Sequence, residues 1–155
     1  FEMKTPANPN AHRRRQSYLR AMEAFGHTPD VISVEGEGWG FEEIGLLGGH
    51  DALKRGRFST NTILCSNDRL AIGLLTACYE QGILVGRGEA CLIRVAGQDG
   101  HPYSRYTCPP LTTISHNYDA VSQTAAEALF AAIDGQVAAW KSTRLEGKLI
   151  LRESA

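Results

Sequence analysis

Polar side chains follow two of the apolar runs in this sequence. The run 62–66 leads directly to Asn67 and Asp68, and the run 91–96 leads after two residues to Asp99. An amide side chain both donates and accepts hydrogen bonds, whereas a carboxylate accepts them. Together these groups offer the mixture of donors and acceptors that can bind the neighbouring hydroxyl groups of a small polar molecule.

Helix capping is the alternative role for the same side chains. Asn and Asp are preferred at the N-cap, where a side-chain oxygen accepts a hydrogen bond from a free backbone N–H of the first turn. For Asp68, which immediately precedes a helical pattern, capping is the favoured interpretation. For Asn67 and Asp99 both roles stay open.

Two further features are ambiguous. Trp39 lies in the Gly-rich stretch 37–40, where its ring could cover the apolar face of a sugar or could serve in packing. The run Arg13-Arg14-Arg15 could supply one side chain to a pocket, because three consecutive residues on a helix point in different directions. Charge runs on helices more often form a solvated face.

Signatures of the common α/β enzymes are missing from the sequence. It contains neither a G-x-S-x-G nor a G-x-x-x-x-G-K-[ST] motif and no paired His ligands. His101 and His116 are interpreted as surface or loop residues. We therefore expect a binding protein rather than an enzyme, with no cofactor and no metal.

The elements that position these side chains follow from hydrophobic periodicity. A helix is predicted at 11–25, with Asn10 as its cap and Gly26 as its stop. The other predicted elements are helices around 44–53, 70–78 and 119–134 and strands at 31–34, 62–66, 91–96, 111–114 and 148–151. This alternation predicts an α/β fold, a mostly parallel sheet with helices on both faces. Ligands bind beyond the carboxyl ends of such strands, the edge where Asn67 and Asp99 are expected.

Composition restricts the class of protein further. The 16 Lys and Arg residues are balanced by 17 Asp and Glu, so the basic field typical of DNA-binding domains is missing. The cysteines, Cys65, Cys78, Cys91 and Cys108, form no CxxC pair and suggest reduced thiols in a cytoplasm. No apolar stretch approaches the length of a membrane helix. Residues 1–6 do not resemble a signal peptide or a natural start.

Four segments in order along the chain resemble landmarks of the lactose-repressor/galactose-repressor family. They are Thr62–Gly73, Val95–Asp99, Pro109–Ile114 and Leu151–Ser154. Each is weak alone, but the ordered and properly spaced set is specific. The resemblance extends from about Asn10 to the end of the chain.

The resemblance implies a fold of the periplasmic-binding-protein-like type I, in which two α/β subdomains close around a small molecule. It implies that Arg14, Asn67 and Asp99 contact this effector and that Trp39 stacks on it, as an aromatic does in some family members. One departure is Gln98, which stands where the family usually has an aromatic. Gly100 likewise replaces a second Asp, so we expect a reshaped wall around Asp99.

The same comparison implies that the chain is a single truncated effector-binding domain. Residues 1 to about 112 and about 146–155 would form the C-terminal subdomain, and about 113–145 would return to the N-terminal subdomain. The DNA-binding helix-turn-helix and most of the first subdomain would be absent.

The expected function is therefore effector sensing, with a sugar or similar small molecule as ligand, in a cytoplasmic, homodimeric bacterial transcription regulator. DNA would be contacted only through the missing head, and no membrane is involved. The alternative is the sugar-binding protein of an import system, which has the same core. The stretches 109–113 and 152–154 favour the regulator.

Overall fold

The computed structural model describes residues 1–4, 9–136 and 142–155 of the chain. Within these ranges the helices are α1 (Pro9–Ala24), α2 (Phe41–Lys54), α3 (Asp68–Glu80) and α4 (Tyr118–Ile133), and the strands are β1 (Glu2–Met3), β2 (Ser33–Val34), β3 (Thr62–Leu64), β4 (Arg94–Asp99), β5 (Thr112–Ser115) and β6 (Lys148–Ile150). A short 3₁₀ helix, Pro102–Arg105, lies between β4 and β5. The predicted α/β class is confirmed. Residues 137–141 of the predicted returning segment lie outside the described residues.

The sheet is mostly parallel, as predicted. β3, β4 and β5 are parallel neighbours, β6 runs antiparallel to β5, and β1 pairs in parallel with β2. Phe1 joins the two groups of strands, because its nitrogen donates to the Leu64 carbonyl at 2.9 Å and its carbonyl accepts from the Ser66 N–H at 2.9 Å. The spatial order is therefore β2-β1-β3-β4-β5-β6, which brings the carboxyl ends of β3, β4 and β5 to one edge.

One face of the sheet is covered by α2 and α3, whose backbones touch where they cross. A Cβ atom added at Gly73 would lie 2.1 Å from the Glu42 carbonyl oxygen, and one added at Gly45 would lie 2.4 Å from that of Leu70. The fully buried apolar side chains around this crossing include Leu70, Leu74, Val95 and Leu111. Each contributes about 1.5–3 kcal/mol of hydrophobic stabilisation. This face is the packed core of the molecule.

The opposite face is covered by α1, which packs much less closely. None of its residues is buried, and a cavity of about 550 Å³ separates Tyr18 and Met22 from Leu64 and Phe58. Helices therefore lie on both faces of the sheet. Among the described residues, every helix is too short or too polar to span a lipid bilayer.

The ends of α1 differ in part from the prediction. The helix begins at Pro9, so Asn10 lies within its first turn and is not the cap. The predicted stop is correct, since Gly26 adopts a positive φ of 71° and its N–H donates to the Glu23 carbonyl.

Strand β4 lies three residues later than predicted. Its bounds are set by its neighbours: Leu64 of β3 is in register with Ala96, and Ser115 of β5 with Asp99. Leu92, which made the earlier stretch look like a strand, is 67% exposed. Asp99 is consequently the last residue of the strand and does not follow it.

Candidate functional site

Arg14 links the carboxyl ends of two strands. Its Nη1 donates to the Ser66 carbonyl oxygen at 2.6 Å, just beyond β3, and its Nη2 donates to Oδ1 of Asp99 at the end of β4. The side chains of Arg14 and Asp99 are 27% and 31% exposed, so both are half-buried and still accessible. Three of the four predicted site residues, Arg14, Asn67 and Asp99, therefore come together at the predicted edge.

Asp99 is held in an unusual backbone conformation. Its φ is 116°, a value rare for a residue with a side chain, and such conformations cost about 1–3 kcal/mol and persist where the surroundings enforce them. Besides Arg14, the Tyr118 hydroxyl donates to the Asp99 carbonyl at 3.1 Å, and His116 Nε2 lies 3.6 Å from Oδ1. The carboxylate is thus fixed in direction before any ligand arrives.

Of the two roles that the sequence left open for Asn67, capping is the one that the structure shows. Asn67 is the N-cap of α3, and its Oδ1 accepts a hydrogen bond from the Leu70 N–H at 2.8 Å. This contact uses the amide oxygen and orients the side chain. No hydrogen bond from the amide nitrogen to another described residue is present. The nitrogen can therefore donate to a ligand beside the Arg14 anchor.

The predicted capping role of Asp68 is wrong. Asp68 is the first residue of α3 and is completely buried. Its Oδ2 accepts from the His101 N–H at 2.7 Å, and its Oδ1 accepts from the Thr113 hydroxyl at 2.6 Å. A Cβ at Gly97 would lie 2.1 Å from Oδ1, so the strand can pass this carboxylate because residue 97 is glycine.

Burial has an electrostatic consequence for Asp68. Desolvation raises the pKa of its carboxyl group, and the hydrogen bonds from Thr113 and His101 act in the opposite direction. The negative charge of Asp99 adds to the increase. The same hydrogen bonds join Asp68 on α3 to β5 and to the turn after β4. Through that turn Asp68 supports Asp99.

Two residues of this site were not identified from the sequence. His116 does lie in a loop, as interpreted, but it also contacts Asp99. Tyr118 is the first residue of α4, and the pKa of its hydroxyl is raised by burial and by the Asp99 charge, with Arg14 opposing. The signal that could have found both is their position just after β5, the third parallel strand that ends at this edge.

Residues 2–155 match the model of the periplasmic binding protein-like domain. The chain belongs to this family. Its relatives include the HTH-type transcriptional repressor PurR of Salmonella paratyphi B, which is 30% identical over 143 residues, 91% of this chain and 40% of that protein. The resemblance to the lactose-repressor family is confirmed, since this periplasmic-binding-protein-like domain is homologous to the effector-binding regions of PurR and lac repressor and covers their C-terminal portion.

Solved structures show the same relationship. The lac repressor dimer bound to operator and the anti-inducer ONPF matches with a TM-score of 0.83 and 26% identity, over 99% of this chain and 51% of that one. A LacI family transcriptional regulator from Arthrobacter sp. FB24 in complex with lactose matches with a TM-score of 0.78 and 25% identity, over 99% of this chain and 56% of that one. The chain thus spans about half the length of these relatives, and the type I fold expectation is confirmed.

Trp39 stands apart from the other predicted residues of this periplasmic-binding-protein-like domain. It lies in the loop between β2 and α2, is 76% exposed and makes an edge-to-face contact with Phe41 at 5.9 Å between ring centroids. The structure does not bring it into the hydrogen-bonded group around Arg14 and Asp99. The observed contact is the packing alternative, although most of the ring remains open to solvent.

Proposed function

We propose that this chain is the effector-sensing part of a bacterial DNA-binding transcription regulator and that its ligand is a sugar or similar small molecule. One observation carries the proposal. Arg14 bridges the Ser66 carbonyl, next to Asn67, and the Asp99 carboxylate at the carboxyl edge of a sheet, in a domain whose relatives include a transcriptional repressor and a LacI family regulator.

The chemistry of the site suits a polyhydroxylated ligand. Asp99 offers acceptor oxygens, and Arg14 and Asn67 offer N–H donors. Hydrogen bonds that involve a charged group are about twice as strong as neutral ones, so a ligand hydroxyl beside Asp99 would be held well. The Arthrobacter regulator in complex with lactose supports the choice of sugars as the first class to test. In this arrangement Trp39 covers an apolar face of the ligand after a change in its loop.

Sensing requires a second subdomain, to which α4 would belong. We assign residues 1 to about 112 and about 146–155 to the C-terminal subdomain and about 113–145 to the segment that returns to the first. α4 has no buried residue, and Leu129, Phe130 and Ile133 are exposed on it. A ligand between the subdomains would shift their equilibrium by its differential affinity for the closed form.

Charge, exposed apolar side chains and free thiols support the proposals on DNA contact, homodimerisation and location. A net charge of −1 argues that DNA is contacted by a separate head and not by this domain. Homodimerisation is supported by exposed apolar side chains on α2 and α3, Leu47 and Tyr79, and by the dimeric lac repressor among the similar structures. A cytoplasmic location suits the free thiols, of which Cys65 and Cys78 are buried.

Two other functions were considered. The import-system alternative gains no support from the relatives, which are transcription regulators. A catalytic function would need an activated nucleophile, a metal centre or a phosphate loop, and the relatives that the chain matches are repressors and not enzymes. Binding without catalysis is therefore our proposal.

A thermal-shift screen against monosaccharides, disaccharides and purines tests the effector site. We expect one ligand class to raise the melting temperature of the wild-type chain. Asp99→Ala should weaken that ligand by about 10- to 150-fold, because a hydrogen bond to a charged group contributes about 1.5–3 kcal/mol. Asn67→Ser should also weaken it while preserving the cap, since Ser is a good N-cap residue without an amide nitrogen.

Asp134→Ala is the matched control. Asp134 lies at the C-terminal end of α4, whereas the Asp99 region contacts Tyr118 at the N-terminal end of that helix. This variant should bind like the wild type. If Asp99→Ala retains wild-type affinity for the ligand found, the assignment of the site is wrong.

A further inference from the structure

The cavity beneath α1 is a feature that the effector function leaves unexplained. We propose that it is a second binding site, for a neutral and mostly apolar small molecule of one or two rings. Its volume is about 550 Å³, within the roughly 300–1,000 Å³ typical of small-molecule sites. Of the four residues assigned to the effector, only Arg14 lines the cavity, whereas Asn67, Asp99 and Trp39 do not, so the proposal does not depend on the effector function.

The walls of the cavity are largely apolar. α1 supplies Tyr18 and Met22 as its roof, and Phe1, Phe58 and Leu64 lie opposite on and beside the sheet. Protein interiors are normally packed as closely as organic crystals. A space of this size between a helix and a sheet therefore favours an occupant that brings its own apolar surface.

Polar contacts, and not apolar packing, hold the roof above this space. Arg15 Nη1 lies 2.8 Å from Glu2 Oε1, and the Tyr18 hydroxyl lies 3.2 Å from both the N and the O of Asp30. Arg14 ties the other end of the cavity to the Ser66 carbonyl. These three tethers lie within about one turn in the middle of α1, at residues 14, 15 and 18, and they hold the helix without filling the gap.

The charges around the cavity determine which ligands fit. Glu2 is paired with Arg15, and Asp30 accepts a hydrogen bond from the Ser59 hydroxyl. Arg14, which also lines the cavity, is paired with Asp99. Because two of the charged groups are in ion pairs and Asp30 is hydrogen-bonded, we expect a neutral ligand in preference to an ion. The side chains of Gln98 and Thr28 also line it and make no hydrogen bond to another described residue. They can form hydrogen bonds with a hydroxyl or ring N–H of a neutral ligand.

The site is linked to the Asp99 region through one residue. Arg14 lines the cavity and also contacts Asp99. A ligand that moves α1 would therefore move the guanidinium group that fixes the Asp99 carboxylate. Such a ligand would act on the neighbouring site from beneath the helix.

Methionine-methyl NMR can test the site, because the chain contains two methionines. Met22 lines the cavity, whereas Met3 is buried in the core on β1. We use 2-naphthol as the probe, a neutral two-ring molecule with one hydroxyl group. Its ring current should shift the Met22 methyl signal in a saturable titration and leave the Met3 signal in place.

Two matched substitutions locate the probe. Leu64→Trp fills the cavity from the sheet and should weaken binding by at least about tenfold, which is 1.4 kcal/mol. Leu149→Trp places the same ring on β6, at an exposed residue outside the cavity, and should bind like the wild type. Near-ultraviolet circular dichroism verifies that both variants are folded.

Three results would overturn the proposal. The first is a Met22 signal that does not move at millimolar probe, and the second is an equal shift of Met3 and Met22, which would indicate general loosening. The third is wild-type binding by a folded Leu64→Trp variant.

Discussion

Asp68 supports the candidate site through hydrogen bonds, although it cannot contact a ligand itself. It is completely buried, and its two oxygens hold the His101 N–H after β4 and the Thr113 hydroxyl on β5. The Thr113 oxygen in turn accepts from the Gly100 N–H at 3.2 Å. This chain of hydrogen bonds fixes the turn that follows Asp99, so the direction of the Asp99 carboxylate depends on it.

Asp68→Ala should therefore be strongly destabilising. Each donor left without a partner in a buried place costs about 1–3 kcal/mol, so we expect a loss of about 2–4 kcal/mol in the free energy of unfolding. Asp68→Asn should lose less, because its amide oxygen can accept from His101 while its nitrogen donates to the Thr113 oxygen. Urea denaturation measures both, and equal losses would contradict this account.

The raised pKa of Asp68 predicts a pH dependence of stability. The folded chain keeps the carboxyl proton to a higher pH than the unfolded chain, whose Asp titrates near 3.8. The folded state thus binds more protons between the two pKa values, and the free energy of unfolding falls as the pH rises through that window. In parallel urea titrations from acid to neutral pH, the wild type should lose stability relative to Asp68→Asn as the pH rises through that window. Identical slopes would contradict it.

The sequence predicted some residues of the site well and others not at all. Asn67 and Asp99 were found because side chains beyond the carboxyl ends of parallel strands share an edge, and Arg14 was found through the family resemblance. Capping was favoured for Asp68 and left open for Asn67, whereas Asn67 is the residue that caps α3; residue type did not distinguish them, since both types cap helices. The choice depends on which side chain turns inward, and this is decided by Gly97 and Thr113, which are distant in sequence.

At the scale of elements, two glycines decide how α2 and α3 pack. Gly inside a helix usually weakens it by about 1 kcal/mol relative to Ala. Here Gly73 faces the backbone of α2 at Glu42, and Gly45 faces that of Leu70 on α3, with no room for a Cβ at either position. The loss of helix propensity is offset by close burial of two helices.

Gly73→Ala should destabilise the chain in spite of the better helix propensity of Ala. Its methyl group would collide with backbone atoms that cannot move aside, and overpacking of this kind costs about 1–3 kcal/mol. Gly88→Ala is the control, because its Cβ would meet only Cys91 Sγ, at an ordinary 3.7 Å. That variant should be unchanged or about 0.4–1 kcal/mol more stable. Chemical denaturation compares the two, and a neutral Gly73→Ala would show that the helices can separate.

Element order was predictable because strand and helix periodicities differ, but element ends were not. β4 extends through Gln98 and Asp99 because their backbones pair with Ile114 and Ser115. In the sequence, the polar side chains of Gln98 and Asp99 indicated that the strand ended before them. The contact that extends a strand lies on a neighbouring strand, so local composition could not reveal it.

Over the whole molecule, burial is concentrated on one side. α3 has eight buried residues, whereas α1 and α4 have none among the residues the structure describes. The sequence predicted helices on both faces of the sheet but not this imbalance, because α4 shows an ordinary helical pattern with apolar residues. Whether the apolar side chains of a helix are buried depends on which part of the protein packs against them, and this cannot be seen in the sequence of the helix.

Hydrogen exchange should make the imbalance visible. Amides of α3 open only with the core, and we expect protection close to the global stability, which for a domain is about 5–15 kcal/mol. Amides of α4 have no buried side chains to hold them, so we expect opening free energies nearer about 1–2 kcal/mol. Exchange mass spectrometry at peptide resolution measures both helices in one experiment, with α3 as the internal control.

A chain extended upstream to include a first subdomain separates two explanations of a weakly protected α4. If residues 113–145 return to that subdomain, its presence should cover Leu129, Phe130 and Ile133 and slow α4 exchange, while α3 exchange stays constant. The change would be selective because only α4 gains buried apolar surface, and protection follows such burial. Equal exchange of α4 in the short and extended chains would contradict the proposed division of the domain, whatever the outcome of the effector screen.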